Sequence, residues 1–124
     1  MKIHPDPIDV QSVHSYGPGW VQVEGQRYTS SLVMDTGGQR FDWGCTRFED
    51  LSAQHFEQLA QLGSETVIFG SGQRLRFPHP ALTQSLMVAR IGLDTMDTQA
   101  ACRTYNILAS EGRRVTLAIL IEPS

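Results

Sequence analysis

The chain has 124 residues, 40% hydrophobic and 19% charged, with 10 Lys and Arg against 13 Asp and Glu for a formal charge of −3. Those figures exclude a disordered chain, and they exclude a duplex-wide nucleic-acid footprint, since the longest basic runs are Arg113-Arg114 and the spaced pair Arg74/Arg76. A single domain over residues 1–124 is the expectation, able to bury enough surface to need neither a disulfide nor a structural metal.

The start, Met1 to Pro7, has no apolar h-region and no Arg- and Ser-rich pattern, so neither a secretion signal nor a transit peptide is expected. Gly17-Pro18-Gly19 marks a turn. Val21 and Val23 then alternate with polar neighbours up to Glu24-Gly25. In the next run Tyr28, Ser30, Leu32 and Met34 point one way and Arg27, Thr29, Ser31 and Val33 the other. Gly37-Gly38 is a turn signal before Gln39–Phe41. The pattern predicts an antiparallel meander over about residues 10–45.

The period changes in the second half. Ser52 is a good N-cap, Leu51 can staple onto Phe56, and Phe56, Leu59 and Ala60 form an apolar face that Gly63 ends. Thr66–Phe69 reads as a strand buried on both faces. Pro80 suits the first position of a second helix, with Leu82, Leu86 and Ala89 on its inner face and Gly92 at its end. Leu93–Met96 is another strand. Thr98 caps a third helix with Ala101, Thr104, Tyr105 and Leu108 at helical spacing, ended by Gly112. Val115–Ile121 is apolar on both faces, which predicts a central strand, and it is far short of the roughly 20 residues that span a bilayer. A β-α-β-α-β order over about 51–122 after a meander predicts an α/β fold. Its mixed central β-sheet is flanked by helices, with an additional antiparallel β-layer from the N-terminal half.

Few residues offer chemistry. Cys45 and Cys102 form no Cys-x-x-Cys, and His4, His14, His55 and His79 lack metal-ligand spacing, so no metal site is predicted. Two dispersed cysteines suit a reducing compartment, here the cytoplasm. Neither has a base nearby in sequence to activate it, and the reading as small buried hydrophobes outweighs a redox or nucleophilic one. Asp35-Thr36-Gly37 after Leu32-Val33-Met34 looks like the turn of an aspartic protease. The apolar Gly-Arg segment that such enzymes need is missing, however, and Asp and Gly are ordinary turn residues. No catalytic residue and no cofactor is assigned.

Gly70-Ser71-Gly72 directly follows a buried strand. It is two-thirds of a dinucleotide fingerprint, with Leu75 where the third glycine would stand and a helix that starts too late. A Gly-Ser-Gly turn can still present N–H groups to an anion, with Arg74 and Arg76 on one side of it. If Thr66–Phe69 and Leu93–Met96 are parallel, their C-terminal ends share one sheet edge. That places the glycine loop beside Asp97-Thr98 at a helix start, with Arg103 on the same helix. Gly70, Ser71, Gly72, Arg74, Arg76, Asp97, Thr98 and Arg103 are therefore the candidate ligand-binding residues, for a small carboxylate or phosphate. The plainer account is a tight turn, solvated arginines and a capping aspartate. Ala100-Ala101-Cys102 is a small-residue patch, either for helix-on-sheet packing or for a flat docking surface with Tyr105 exposed as an anchor.

These same residues carry a resemblance. Glu65–Gly72 with Arg74, Arg76, Phe77 and Pro78, and Gly92-Leu93 with Met96–Thr98 and Ala100–Asn106, follow the order and spacing of two signatures of a family. Leu108 and Glu111–Val115 extend the likeness. The chain resembles the small domain of unknown function shared by mitochondrial respiratory complex I assembly factor three and adipogenesis-associated proteins. The family's motif positions fall at Gly70, Gly72, Arg76, Asp97, Arg103, Tyr105 and Asn106. The resemblance implies an α/β fold with a mixed sheet and no established catalysis. It implies an interaction or assembly factor with a protein partner, and the rim leaves room for a small anion as a second partner. No membrane span is expected.

Overall fold

The computed structural model describes residues 10–123. The expectation about a signal sequence concerns Met1–Pro7, outside that range. Three short strands, β1 (Ser15–Gly17), β2 (Trp20–Val23) and β3 (Gln26–Tyr28), form a small antiparallel sheet. The predicted long strand over 27–34 does not continue. Thr29–Ser31 leaves that sheet, and β4 (Leu32–Asp35) joins a second one. The break falls where small hydroxyl side chains can replace ladder bonds. The Ser30 hydroxyl donates to Asp42 Oδ2 at 3.0 Å, and Ser31 Oγ accepts the Ile121 N–H at 3.0 Å. The extra antiparallel layer therefore ends at Tyr28, earlier than the meander expected to about 45.

The second sheet has five strands in the order β5-β4-β8-β6-β7, where β5 is Arg40–Asp42, β6 is Thr66–Gly70, β7 is Gly92–Met96 and β8 is Val115–Ile119. β6 is parallel to both β7 and β8, whereas β4 is antiparallel to β8 and β5, so the sheet is mixed. β8 is central, as its two-sided apolar pattern predicts. Its residues alternate between two cores. Val115, Leu117 and Ile119 face one with Leu32, Met34, Ile68 and the small sheet's Val21 and Val23. Ala118, and Leu120 just beyond the strand, face the other with Val33, Val67, Phe69 and Phe56.

Helix α1 (Ala53–Ala60) covers the second face. Its cap is a box in which the Ser52 N–H donates to His55 Nδ1 at 3.0 Å. The second helix is shorter than predicted. Pro80–Leu82 makes one 3-10 turn, Thr83 leaves helical geometry (φ −108°, ψ 12°), and α2 spans only Gln84–Val88. Leu86 is buried as predicted, but Ala89 is exposed. Gly92 does not end this helix. Arg90, in the left-handed region at φ 59°, does so, with Ile91 N–H donating to Leu86 O and Arg90 N–H to Met87 O.

Helix α3 (Thr98–Ser110) packs on the opposite face, with Ala101, Cys102, Tyr105 and Ala109 buried. Its cap is Asp97 rather than Thr98, since Asp97 Oδ1 accepts the Ala100 N–H at 2.9 Å. Tyr105 is no exposed anchor. It is fully buried, and its hydroxyl donates to Gln11 O at 2.9 Å.

Candidate functional site

Consecutive parallel strands leave their loops at one edge of the sheet, and here those loops turn to opposite faces. β6 leads to α2 on the Phe56 side and β7 to α3 on the Val21 side. Such a divergence opens a crevice beyond the carboxyl ends of the strands. The crevice has a volume of about 740 Å³, within the range of small-molecule sites. Gly72, Arg74, Arg76, Asp97 and Thr98 line it, so the two loops do meet.

Thr98 ties the loops together. Its hydroxyl accepts the Gly72 N–H at 2.9 Å and donates to Leu120 O at 2.9 Å, while its N–H donates to Gly72 O at 2.8 Å. Gly70 lies beneath. A Cβ there would sit 2.7 Å from Ile119 Cγ2 and 2.9 Å from Thr98 Cα, so only glycine lets α3 start this close to the sheet. Ser71 is fully buried and faces inward. Its hydroxyl donates to Arg74 O at 2.8 Å and accepts the Arg76 N–H at 2.9 Å.

Arg76 lines the crevice with its guanidinium already engaged. Nη2 donates to Ser71 O at 2.6 Å and to Glu122 Oε1 at 2.5 Å, and the group lies 4.7 Å over the Phe48 ring. Glu122 also accepts the Phe48 N–H through Oε2 at 2.8 Å. Burial acts to raise the Glu122 pKa. The Arg76 and Phe48 hydrogen bonds and the charges of Arg76 and Arg47 outweigh it and hold the carboxyl below its ordinary value. Arg103 lies outside the crevice, on the surface, where it donates to the Tyr16 hydroxyl at 3.2 Å. The charged side chains at the rim balance, Arg74 and Arg76 against Asp97 and Glu122. Of the first three amides of α3, those of Thr98 and Ala100 are already bonded within the protein. Arg74, exposed, is the one cation at the rim without a carboxylate partner among the described residues.

Sequence reasoning missed two walls of this crevice. One is the Gly17–Trp20 hairpin and the other the segment Leu120–Pro123. On that hairpin the Trp20 indole packs close against Gly17, and the Arg27 guanidinium lies 4.0 Å from its ring centroid. Glu122 carries a faint sequence signal, a single acid straight after a long apolar run.

Other candidates resolve into packing. The Asp35 carboxylate is buried and accepts the N–H groups of Gly37 and Gln39 at 3.0 and 2.9 Å, an Asx-type turn. Both cysteines are buried. Burial raises the Cys45 pKa and pushes that of Cys102 up to about 12, so neither is a thiolate at neutral pH. Among the described residues no His, Cys, Asp or Glu cluster is arranged to hold a metal ion, and no helix is long and apolar enough to cross a membrane. Asn106 clamps the segment before β1, donating to Val13 O and accepting the Val13 N–H.

The exposed apolar side chains are distributed unevenly. Leu75, Phe77, Met87 and Val88 all lie on the β6–β7 connection, with Phe77 69% and Val88 84% exposed, and Ile107 is the other large apolar residue on the described surface.

A family model described as "Protein of unknown function (DUF498/DUF598)" matches residues 13–120. The chain belongs to that family. Mouse NADH dehydrogenase [ubiquinone] 1 alpha subcomplex assembly factor 3 is 34% identical over 83 residues, covering 65% of this chain and 44% of the mouse protein. The chain thus spans less than half the length of that relative. A crystal structure of a Bordetella parapertussis protein superposes with a TM-score of 0.86 at 35% identity, covering 91% of this chain and 97% of that one. The solution structure of a Bordetella pertussis protein, a Mth938-like domain, gives 0.84 at 30% identity, covering 100% and 94%. The family is thus the assembly-factor-like one that the two signatures resemble, and its fold is the mixed α/β arrangement described above.

Proposed function

We propose that this member of the family is a protein-binding module that acts without chemistry of its own, in the manner of an assembly factor. The carrying observation is the β6–β7 connection, which displays Leu75, Phe77, Met87 and Val88 to water. Four of the five large apolar side chains most exposed among the described residues stand on this one connection, and exposed apolar surface favours protein association. The assembly-factor relatives support a protein partner. The two unpaired thiols suit a reducing compartment such as the cytoplasm. The test is affinity capture after cross-linking, with the Leu75→Asp/Phe77→Asp double variant beside the wild type. A stoichiometric protein partner lost in the variant is the expected result. No partner, or the same partner at the same yield from both, overturns the proposal.

A second reading puts a small anionic metabolite in the crevice, favoured by the position of that crevice at the carboxyl ends of parallel strands. Arg76 is already neutralised by Glu122, so Arg74 would carry the charge recognition. A thermal-shift screen with phosphorylated and carboxylated metabolites tests it. Stabilisation of the wild type that disappears in Arg74→Ala supports this reading, and none, or an equal shift in the variant, counts against it.

A further inference from the structure

We infer that the β6–β7 connection is the docking face itself, and that its partner is an acidic amphipathic segment of another protein. This rests on the protein-binding reading above and specifies the chemistry of the partner. All 13 acidic residues of the chain lie outside residues 66–93, although the chain as a whole is net negative. Within that window stand Arg74, Arg76, His79 and Arg90. Arg76 is neutralised by Glu122, which leaves Arg74 and Arg90 exposed and without a carboxylate partner among the described residues. A connection that displays both apolar side chains and unpaired guanidiniums is complementary to a segment with apolar anchors and carboxylates.

Arg90 adds a separate argument. It closes α2 at φ 59° by the bonding pattern that closes α3, where Gly112 takes the left-handed position at φ 82°. Glycine does this without steric penalty and arginine does not. A sterically costly arginine at a position where glycine fits points to a use for its side chain. The geometry also sizes the partner. The connection must return the length of the five-residue β6, roughly 16 Å at about 3.3 Å per residue, which about three helical turns would span. Two free arginines fall short of the roughly four to eight basic residues of a lipid-binding cluster, which favours a protein segment over a membrane surface.

The experiment uses the full chain and a fluorescein-labelled peptide of about 18 residues, with Leu at i, i+3, i+4 spacing and Glu and Ala elsewhere. Anisotropy should report saturable binding that weakens as salt rises. Arg74→Glu/Arg90→Glu should weaken it at least about tenfold, and a matched Lys peptide should not bind. Arg90→Gly should also weaken binding while raising the melting temperature, an outcome that a merely structural role does not give. No binding of the acidic peptide, equal binding of the Lys peptide, indifference to both charge changes, or preferential binding to anionic phosphatidylserine vesicles each overturns the inference. If Leu75→Asp/Phe77→Asp abolishes capture of the cellular partner but Arg74→Glu/Arg90→Glu does not, the protein-binding reading stands and the acidic-partner inference alone falls.

Discussion

The connection from β7 to β8 is a 13-residue helix that buries Ala101, Cys102, Tyr105 and Ala109 against the sheet. The one from β6 to β7 does the same topological work with a loop, one 3-10 turn and a five-residue helix, burying only Leu86 from its helix. It leaves four large apolar side chains in solvent. Both join parallel strands of one sheet, so topology does not dictate the difference. A connection that packs is committed to the core, and one that does not is free to meet something else.

Truncating one aromatic residue on each connection is the strongest way to break this contrast. Tyr105→Ala should cost about 3–5 kcal/mol in urea unfolding, because it opens a cavity and leaves Gln11 O without its donor. Phe77→Ala, on the displayed connection, should stay within about 0.5 kcal/mol of wild type. Similar losses from both would end the comparison. Gly70→Ala probes the point where the two connections meet, and steric overlap with Ile119 and Thr98 should cost about 1–3 kcal/mol by the same measurement. The smallest effect is expected from Glu122→Gln, which loosens the latch between Arg76 and the segment after β8. The folded pKa of Glu122 lies below its unfolded value of about 4.3. The wild type should therefore hold its full advantage over the variant above about pH 4.3 and lose it as pH falls through the folded value. An advantage that is constant with pH would place the stabilisation elsewhere.

Much of this arrangement is legible in the residues. Continuous apolar runs mark β6 and β8 as buried on both faces, and Gly63 and Gly112 mark helix ends. The meeting of the Gly70 and Thr98 loops follows from parallel strands alone. What stays hidden depends on partners distant in sequence. Nothing in the alternation of 27–34 shows that Ser30 and Ser31 will find Asp42 and Ile121 and carry the strand into another sheet. Tyr105 can be an anchor or a core residue by its spacing, and Gln11 decides it. Arg76 reads as a free cation until Glu122, 46 positions on, is brought against it. Arg90 gives no sign of its left-handed backbone, because the usual marker there is glycine.

β8 holds the middle of its sheet, yet all four companion strands precede it in the chain. Leu32 must wait for Ile119, 119 − 32 = 87 positions later. At about 5–20 residues per second of translation, that delay is about 4–17 s. Throughout it β4 can pair only with β5, and β6 only with β7, so each keeps the edge that β8 will cover unpaired. Yield in a cell then depends on what shields those segments while the ribosome is still working, as well as on how stable the finished sheet is.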